Sequence, residues 1–303
     1  MRRRALAVAT CLALLVGVGT VVAWRTRSGP GIGSSRRLKP ALATGPAPVD
    51  VPSPPPADPF ELPAVEAYLG ARQGNISAAV CNEESHEIFL YHPDDPQDTA
   101  SIVKVDILAT LLYQAQQHGG GLSEEDRELA TAMIEDSDDT DADDLWIAEG
   151  MAGAVDVINR QLGMTQTDLN GSYYWGLSKT TPADQIKLLN ALALPNDVLD
   201  PGSQRYELSL MQNVVGYQAW GVSAGLPEGS TLALKNGWLP LSPGDWQINS
   251  IGIASDPAHT YAIAVMTTDD PTEAYGIDTI DGLARRLWAH LMPDDLAPPQ
   301  ARG

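Results

Sequence analysis

Cysteine is scarce in this chain of 303 residues, which contains only two. Cys11 falls within an apolar N-terminal segment, so Cys81 is the only cysteine in the rest of the chain and no disulfide can form there. Cys81 lies in a strand-like run, which favours a buried structural thiol.

Basic residues are few beyond the N-terminal region. Eight of the 19 precede Ala41, whereas 37 of the 39 acidic residues lie from Glu61 onward, so the later part of the chain carries a formal charge of about −26. A field of this sign repels nucleic acids and anionic polymers, and we therefore exclude both as partners.

The N-terminal residues have the pattern of a targeting segment. Three arginines precede an apolar stretch from Ala5 to Trp24, which is typical of a signal peptide or of an uncleaved membrane anchor. Val21-Val22-Ala23 offers a cleavage site, so both alternatives stay open for residues 1–24. Either one predicts an extracytoplasmic protein, secreted or anchored, that contacts a membrane only through this segment.

Proline, glycine and serine dominate residues 25–60, which predicts a disordered linker that cannot bury enough apolar surface to fold. Residues 61–295 are long enough for one domain. We assign residues 296–303 to a C-terminal tail and expect a monomer.

An acidic run at residues 136–144 contains six aspartates. A calcium loop needs glycine at its sixth position and glutamate at its twelfth, and registers starting at Asp136 or Asp139 supply neither. The run is interpreted as a solvated loop beside a helix N-terminus, and no metal or cofactor is predicted.

The order of the predicted elements indicates a mixed α/β (α+β) fold. A helix at Leu62–Arg72 precedes two strands, helical patterns fill most of 100–215, three strands follow, and a final helix covers about Tyr275–Leu291. The predicted strands are Ile76–Cys81, Glu87–Tyr91, Thr231–Lys235, Gln247–Ala254 and Tyr261–Thr267. This order predicts a five-stranded antiparallel sheet flanked by the N- and C-terminal helices, with an inserted helical lobe.

Ser101 and Lys104 form the first candidate catalytic pair. The run from Ala100 to Leu112 is apolar on nearly every side, so it predicts a buried helix that begins near Ser101. Residues at i and i+3 share a helix face, and a desolvated lysine beside a serine can act as the base of a nucleophile. A lysine snorkelling from a purely structural helix is the alternative.

Two later motifs complete a set. Ser137-Asp138-Asp139 follows a second predicted helix, and Lys235-Asn236-Gly237 follows a strand-like run. With Ser101-Ile102-Val103-Lys104 they resemble the S-x-x-K, S-D-N and K-T-G motifs of class A β-lactamases and penicillin-binding proteins, in the same order. The resemblance covers residues 62 to about 292.

This resemblance implies roles for individual residues. Ser101 would attack an acyl carbon, and its N–H and that of Trp238 would form the oxyanion hole. Lys104 would take the hydroxyl proton, Ser137 would relay a proton to the leaving nitrogen, and Lys235 would attract the substrate carboxylate. The substrate would be a β-lactam or a peptidoglycan peptide.

The chain also departs from the family pattern. Gln166-Thr167-Asp168-Leu169-Asn170 stands where β-lactamases carry a deacylating glutamate, so deacylation is predicted to be impaired, with Asp168 as the nearby substitute carboxylate. Asp139 replaces asparagine and would weaken Lys104 as a base. Asn236 replaces a hydroxyl residue but could still donate to a carboxylate.

Further departures concern the walls of the site. The arginine–aspartate brace of the loop is absent, with Met164 and Lys179 near its ends. Only 35 residues separate Ser101 from Ser137, which predicts a more open cleft than the family's.

Two alternatives remain from the sequence. The run Gly221–Gly225 matches a G-x-S-x-G nucleophile elbow, with Asp256 and His259 later in the required order, but no strand–helix context surrounds it. A catalytically inactive envelope protein that keeps the fold as a binding or structural module is the second alternative. A peptidoglycan D,D-peptidase or an esterase also stays open within the enzyme hypothesis.

Overall fold

The computed structural model describes residues 57–171 and 173–293. The predicted signal peptide or anchor, nearly all of the predicted linker and the predicted tail lie outside these residues. The α-helices are α1 (Pro63–Leu69), α2 (Val103–Gln117), α3 (Glu124–Thr131), α4 (Asp139–Glu149), α5 (Ala152–Leu162), α6 (Pro182–Ala193), α7 (Pro201–Met211) and α8 (Glu273–Leu291). The strands are β1 (Asn75–Asn82), β2 (Glu87–Tyr91), β3 (Gln97–Asp98), β4 (Lys179–Thr180), β5 (Thr231–Ser242), β6 (Asp245–Ser255) and β7 (Thr260–Asp270).

Five of the strands form one antiparallel sheet in the order β2-β1-β7-β6-β5. The two strands that precede the helical block therefore pair with the three that follow it, as the sequence predicts. The short strands β3 and β4 pair separately and tie the segment before α2 to the segment before α6. Within 57–171 and 173–293, no helix combines the length and the apolar content needed to cross a membrane.

Each face of the sheet packs against its own hydrophobic core. Ala78 and Val80 point towards α1 and α8, whereas Ala79 and Cys81 point towards the helical lobe. This alternation follows from the two-residue period of a strand. Both faces are apolar, so the sheet is buried between two helical layers, and α2 is the central helix of the larger core.

Three local predictions need correction. The acidic run is no solvated loop, because its second half forms α4. Asp138 caps that helix by accepting hydrogen bonds from the amides of Thr140 and Asp141 at 2.8 and 3.0 Å. The strand predicted to end at Lys235 continues to Ser242.

The packed region also begins earlier than the predicted boundary at residue 61. Pro59 and Phe60 are buried in a short 3₁₀ turn that Asp58 caps, and Phe60 joins the core beneath α1 and α8. The buried Phe60 ring adds to the apolar area that folding removes from water.

Candidate active site

Ser101 lies in a 3₁₀ turn, Ala100–Ile102, that leads directly into α2. The turn packs backbone to backbone against β5, because Gly237 has no side chain. A Cβ atom built on Gly237 would lie 2.7 Å from the Ser101 amide nitrogen and 2.9 Å from that of Ile102. Ala100, just before the serine, has a φ of +46°, a left-handed conformation that non-glycine residues seldom adopt.

Lys104 is fully buried one helical turn after Ser101. Its ammonium donates to three acceptors, the Ser137 carbonyl at 2.7 Å, the Ser137 hydroxyl at 3.2 Å and Asp139 Oδ1 at 2.5 Å. Burial lowers the pKa of Lys104, and the hydrogen bond and charge of Asp139 act in the opposite direction. The ring of Trp175 covers the amine, with its centroid 4.9 Å from Nζ.

Ser137 forms hydrogen bonds with both lysines of the predicted set. It follows a π turn at Ala132–Asp136 and has a left-handed conformation, with φ 59° and ψ 38°, which directs the chain into α4. Its hydroxyl accepts hydrogen bonds from Lys235 Nζ at 2.9 Å and from Lys104 Nζ at 3.2 Å. One hydroxyl thus connects two amines that lie 131 residues apart in the chain.

Lys235 is also fully buried, on the edge strand β5. Its amine donates to the Ser137 hydroxyl and to the carbonyl of Asn236. Burial, together with the positive charge of Lys104, lowers the pKa of Lys235 well below its usual value. The site is therefore compact and shields both amines from water.

A cleft of about 450 Å³ opens beside Ser101. One wall comes from the segment before β4, a second from α4, and a third from β5. The lining residues are Ala100, Ser101, Asp139, Asp143, Tyr173, Tyr174, Trp175, Gly176, Leu177, Trp238 and Leu239. A serine at the mouth of a largely apolar cleft, with two amines behind it, suits covalent capture of an acyl group.

Comparison with known proteins identifies the family. The sequence model of the Beta-lactamase enzyme family matches residues 125–291, more than half of the chain. The chain belongs to that family. It is 24% identical over 228 residues to a Mycobacterium tuberculosis protein named "Putative lipoprotein LppW", covering 73% of this chain and 71% of the relative, and the Mycobacterium bovis protein of that name matches equally.

Solved structures show that the family fold extends over the described region. The TLA-1 extended-spectrum β-lactamase superposes with a TM-score of 0.68 at 19% identity, over 75% of this chain and 96% of that one. A class A β-lactamase from Bacteroides cellulosilyticus superposes with a TM-score of 0.67 at 17% identity, over 75% and 95% of the two chains. The resemblance predicted from the three motifs, and the predicted fold class, are confirmed.

This β-lactamase family member differs from the sequence-based site assignment at Asn236. The Asn236 side chain is fully buried, and its amide donates to the carbonyls of Gln218 and Trp220 at 2.7 and 3.0 Å. Both amide hydrogens are therefore occupied, which contradicts the prediction that Asn236 donates to a substrate carboxylate. Gly237 brings β5 close to the nucleophile, and Trp238 lines the cleft.

The deacylation candidates do not lie where the sequence placed them. Among the described residues, those that line the cleft include none of Gln166, Asp168 and Asn170. Gln166 instead donates to Asp94 at 3.0 Å, and the backbone of Asp168 pairs with Lys179.

The backbone amide of Asn170 donates to Ser178 Oγ at 2.9 Å, which holds the loop that contains Gln166, Asp168 and Asn170. In place of the missing arginine–aspartate brace, buried Asp184 holds the loop. It accepts hydrogen bonds from the backbone amide of Gln166, the Thr167 hydroxyl and the Lys187 amine at 2.7, 2.9 and 2.8 Å. A second ion pair joins Lys179 to Asp98 at 3.1 Å.

The sequence does not single out several of the cleft residues, and Asp143 and Trp175 are two of them. Asp143 follows Asp139 by one helical turn on α4, and its carboxylate accepts a hydrogen bond from the Trp175 indole at 2.7 Å. Once the acidic run is recognised as a helix, the i, i+4 spacing places both aspartates on one face. No comparable signal in the sequence indicates that Trp175 covers Lys104.

The alternative nucleophile elbow at Gly221–Gly225 lacks the strand–turn–helix context that such an elbow requires. Gly221–Ser223 is a 3₁₀ turn between two loops, and Asp256 and His259 pair with each other in the β6–β7 connection. Within the described part of the chain, no group of three or more His, Cys, Asp or Glu side chains is arranged to hold a metal ion.

Proposed function

We propose that this protein is an extracytoplasmic serine hydrolase of the β-lactamase and penicillin-binding type, acylated at Ser101 by β-lactams or peptidoglycan-like amides. The observation that carries the proposal is the Ser137 hydroxyl, which accepts hydrogen bonds from both Lys104 and Lys235 directly behind the cleft that exposes Ser101. Two buried amines have a large desolvation cost, which a purely structural site would avoid.

In the proposed acylation, Ser101 Oγ attacks the acyl carbon and its proton passes to the neutral amine of Lys104. The acyl–nitrogen bond then breaks, an ester remains on Ser101, and the leaving nitrogen receives a proton through the Ser137 hydroxyl. The amides of Ser101 and Trp238 would stabilise the oxyanion. The lowered pKa of Lys104 favours the neutral amine that this step requires.

Hydrolysis of the ester is proposed to be slow. Two carboxylates line the cleft, and each already accepts a hydrogen bond: Asp139 from Lys104, and Asp143 from Trp175. An oxygen that already accepts a hydrogen bond from the protein has less capacity left to take a proton from water. This replaces the substitution at Gln166 as the reason for slow turnover.

Intact-mass measurement after incubation with a panel of β-lactams tests the proposal. We expect an adduct on Ser101 that persists for many minutes after excess reagent is removed, and no adduct on the Ser101→Ala variant. Absence of any adduct at millimolar reagent contradicts acylation. An adduct that disappears within seconds contradicts slow hydrolysis.

An inactive envelope protein remains the second candidate. The ion pair of Lys104 with Asp139 at 2.5 Å favours it, because a tightly held ammonium cannot take up the serine proton. Failure of Ser101 to react with β-lactams and with a fluorophosphonate probe would support this candidate.

The proposed localisation rests on the N-terminal segment and on the name of the mycobacterial relatives. Fractionation of cells that express the full chain, with protease added to intact spheroplasts, tests it. We expect the protein to be digested from outside, and protection from the protease contradicts the proposal.

A further inference from the structure

The described residues that line the cleft beside Ser101 present no cation to an incoming molecule. These residues include no lysine, arginine or histidine. Lys104 and Lys235 are both completely buried, and their amines are turned inward to Ser137, Asp139 and the Asn236 carbonyl. A carboxylate on the substrate's acyl side chain would therefore find no exposed positive partner among the described residues that line this cleft.

The charged groups that do line the cleft are acidic. Asp139 and Asp143 lie one turn apart on α4, and the Asp139 side chain is 76% exposed although one of its oxygens contacts Lys104. The surrounding domain adds a formal charge of about −26 from Glu61 onward. The local and the long-range fields thus have the same sign.

Aromatic rings form the rest of the wall. Tyr173 and Tyr174 are 65% and 70% exposed, and Trp175 and Trp238 complete the lining. Two adjacent exposed rings beside a cleft make a contiguous apolar patch, and such patches often mark binding sites. The negative faces of tyrosine and tryptophan rings attract cations, and nearby carboxylates reinforce that attraction.

We propose that this cleft selects acyl donors that carry an ammonium group on the acyl side chain, next to the side-chain carbonyl, and that it disfavours donors with a carboxylate at that position. Asp143 and Asp139 provide the negative charge, and Tyr173 and Trp238 provide the ring faces. The inference rests on the proposed acylation of Ser101 and names the class of substrate for that site.

Three penicillins that differ only in the substituent next to the acyl side-chain carbonyl provide the test. Ampicillin carries an amine there, benzylpenicillin a hydrogen and carbenicillin a carboxylate. At pH 6.5, below the usual α-amino pKa of about 7.7–8.0, the amine is protonated. We expect the second-order rate of Ser101 acylation to fall in that order, with roughly a tenfold or larger difference between ampicillin and carbenicillin at low salt.

Added salt and one substitution test whether the charge preference arises from the carboxylates of the cleft. The ratio of the two rates should shrink in 0.5 M sodium chloride, because salt screens exposed charges. Asp143→Asn keeps an oxygen for the Trp175 indole and should reduce the ratio severalfold. Asp144→Asn removes the same charge from the neighbouring, exposed position outside the cleft and should leave the ratio close to that of the parent.

Equal rates for the three penicillins, or a preference for carbenicillin, would overturn the inference while leaving the acylation proposal intact. If none of them labels Ser101, the acylation proposal fails, and ligand-observed NMR with benzylammonium and phenylacetate measures the recognition alone. Binding of benzylammonium at least severalfold tighter than phenylacetate, weakened in Asp143→Asn, supports the charge preference. Equal binding overturns it.

Discussion

Lys104 combines complete burial with three hydrogen-bond acceptors, so a single substitution separates its structural role from its chemical one. We expect Lys104→Met to keep the fold, because methionine has a similar length and its burial removes the cost of a desolvated charge. We also expect acylation of Ser101 to slow by roughly 10²-fold or more, since the serine loses its base. Thermal unfolding and intact-mass labelling measure the two effects.

Lys179→Met is the matched control for that substitution. Lys179 is half exposed, pairs with Asp98 and does not line the cleft, so its loss should leave the labelling rate close to the parent value. A Lys104→Met protein that labels as fast as this control would exclude Lys104 as the base.

Asp139 determines how readily Lys104 gives up its proton. The carboxylate raises the pKa of Lys104 against the larger effect of burial, so Asp139→Asn should lower that pKa further. The neutral amine would then be present at lower pH, and the rising limb of the acylation rate against pH should move to lower pH. Rates with benzylpenicillin between pH 5 and pH 9 measure the position of the limb, and an unmoved limb would show that Lys104 is not the titrating base.

The sequence could predict which residues form the candidate site from the order of the three motifs and from the predicted helix, loop or strand around each. Lys104, Ser137 and Lys235 are joined through the Ser137 hydroxyl, and the catalytic roles of these three residues and of Ser101 stay predictions. Gln166 was misplaced because a motif position fixes the backbone register and not the partner of the side chain. Asp94, which holds Gln166, lies 72 residues away and carries no motif.

At the scale of elements, the position of Ser101 depends on the contact between the Ala100–Ile102 turn and β5. Gly237→Ala would introduce a methyl group 2.7 Å from the Ser101 amide nitrogen and 3.0 Å from the Thr99 carbonyl oxygen, and both are backbone atoms that cannot rotate away. The turn must shift off the strand, which should cost about 1–3 kcal/mol of stability and slow acylation. Urea unfolding and labelling rates check both effects.

Gly153→Ala is the matched control for this glycine. Gly153 lies in α5, and a Cβ atom there has nothing within 4 Å, so the substitution should be neutral or stabilising by about 0.4–1 kcal/mol. A Gly237→Ala protein as stable and as reactive as the Gly153→Ala protein would show that the close approach is unimportant.

Element boundaries were harder to predict than element order. The strand predicted over Thr231–Lys235 stops before Asn236, Gly237 and Pro240, residue types that are depleted in strands. The strand nevertheless continues, since it pairs with β6 through Ser242 and Asp245. Similarly, six aspartates suggested a solvated loop, yet capping by Asp138 allows the run to begin a helix.

The whole molecule buries carboxyl groups that no sequence pattern revealed. Asp106 on α2 lies in the core of the helical lobe with Glu149 from the end of α4 and Glu207 from α7, and each has oxygens without a hydrogen-bond partner among the described residues. A period of 3.6 shows that α2 is buried, but the meeting of three acids from distant helices depends on how those helices pack. Asn159 donates to Asp106 at 3.0 Å.

Because these acids are buried, we expect the free energy of unfolding of the domain to fall as pH rises. Burial raises the pKa of Asp106 to about 7, and it raises the pKa of both Glu149 and Glu207 well above the usual value. The folded state therefore binds more protons than the unfolded state above pH about 4, so the free energy of unfolding falls as pH rises from about 4 to about 7 for Asp106. From pH 5 to pH 8, Asp106 alone accounts for a fall of about 2–3 kcal/mol.

Asp106→Asn should remove that part of the fall, because an amide needs no proton to stay neutral and can still accept from Asn159. We expect urea unfolding at pH 5 and pH 8 to show a drop in stability about 2–3 kcal/mol smaller than in the parent protein. Asp144→Asn, which changes an exposed carboxylate on α4, should leave the drop unchanged. Glu149 and Glu207 would still cause a decline in the Asp106→Asn variant, so the difference between the two proteins, and not the decline itself, is the measured quantity. Equal drops in the parent and in Asp106→Asn would mean that Asp106 is already ionised in the folded protein at pH 5, and that the core of the helical lobe holds a charge that its neighbours stabilise.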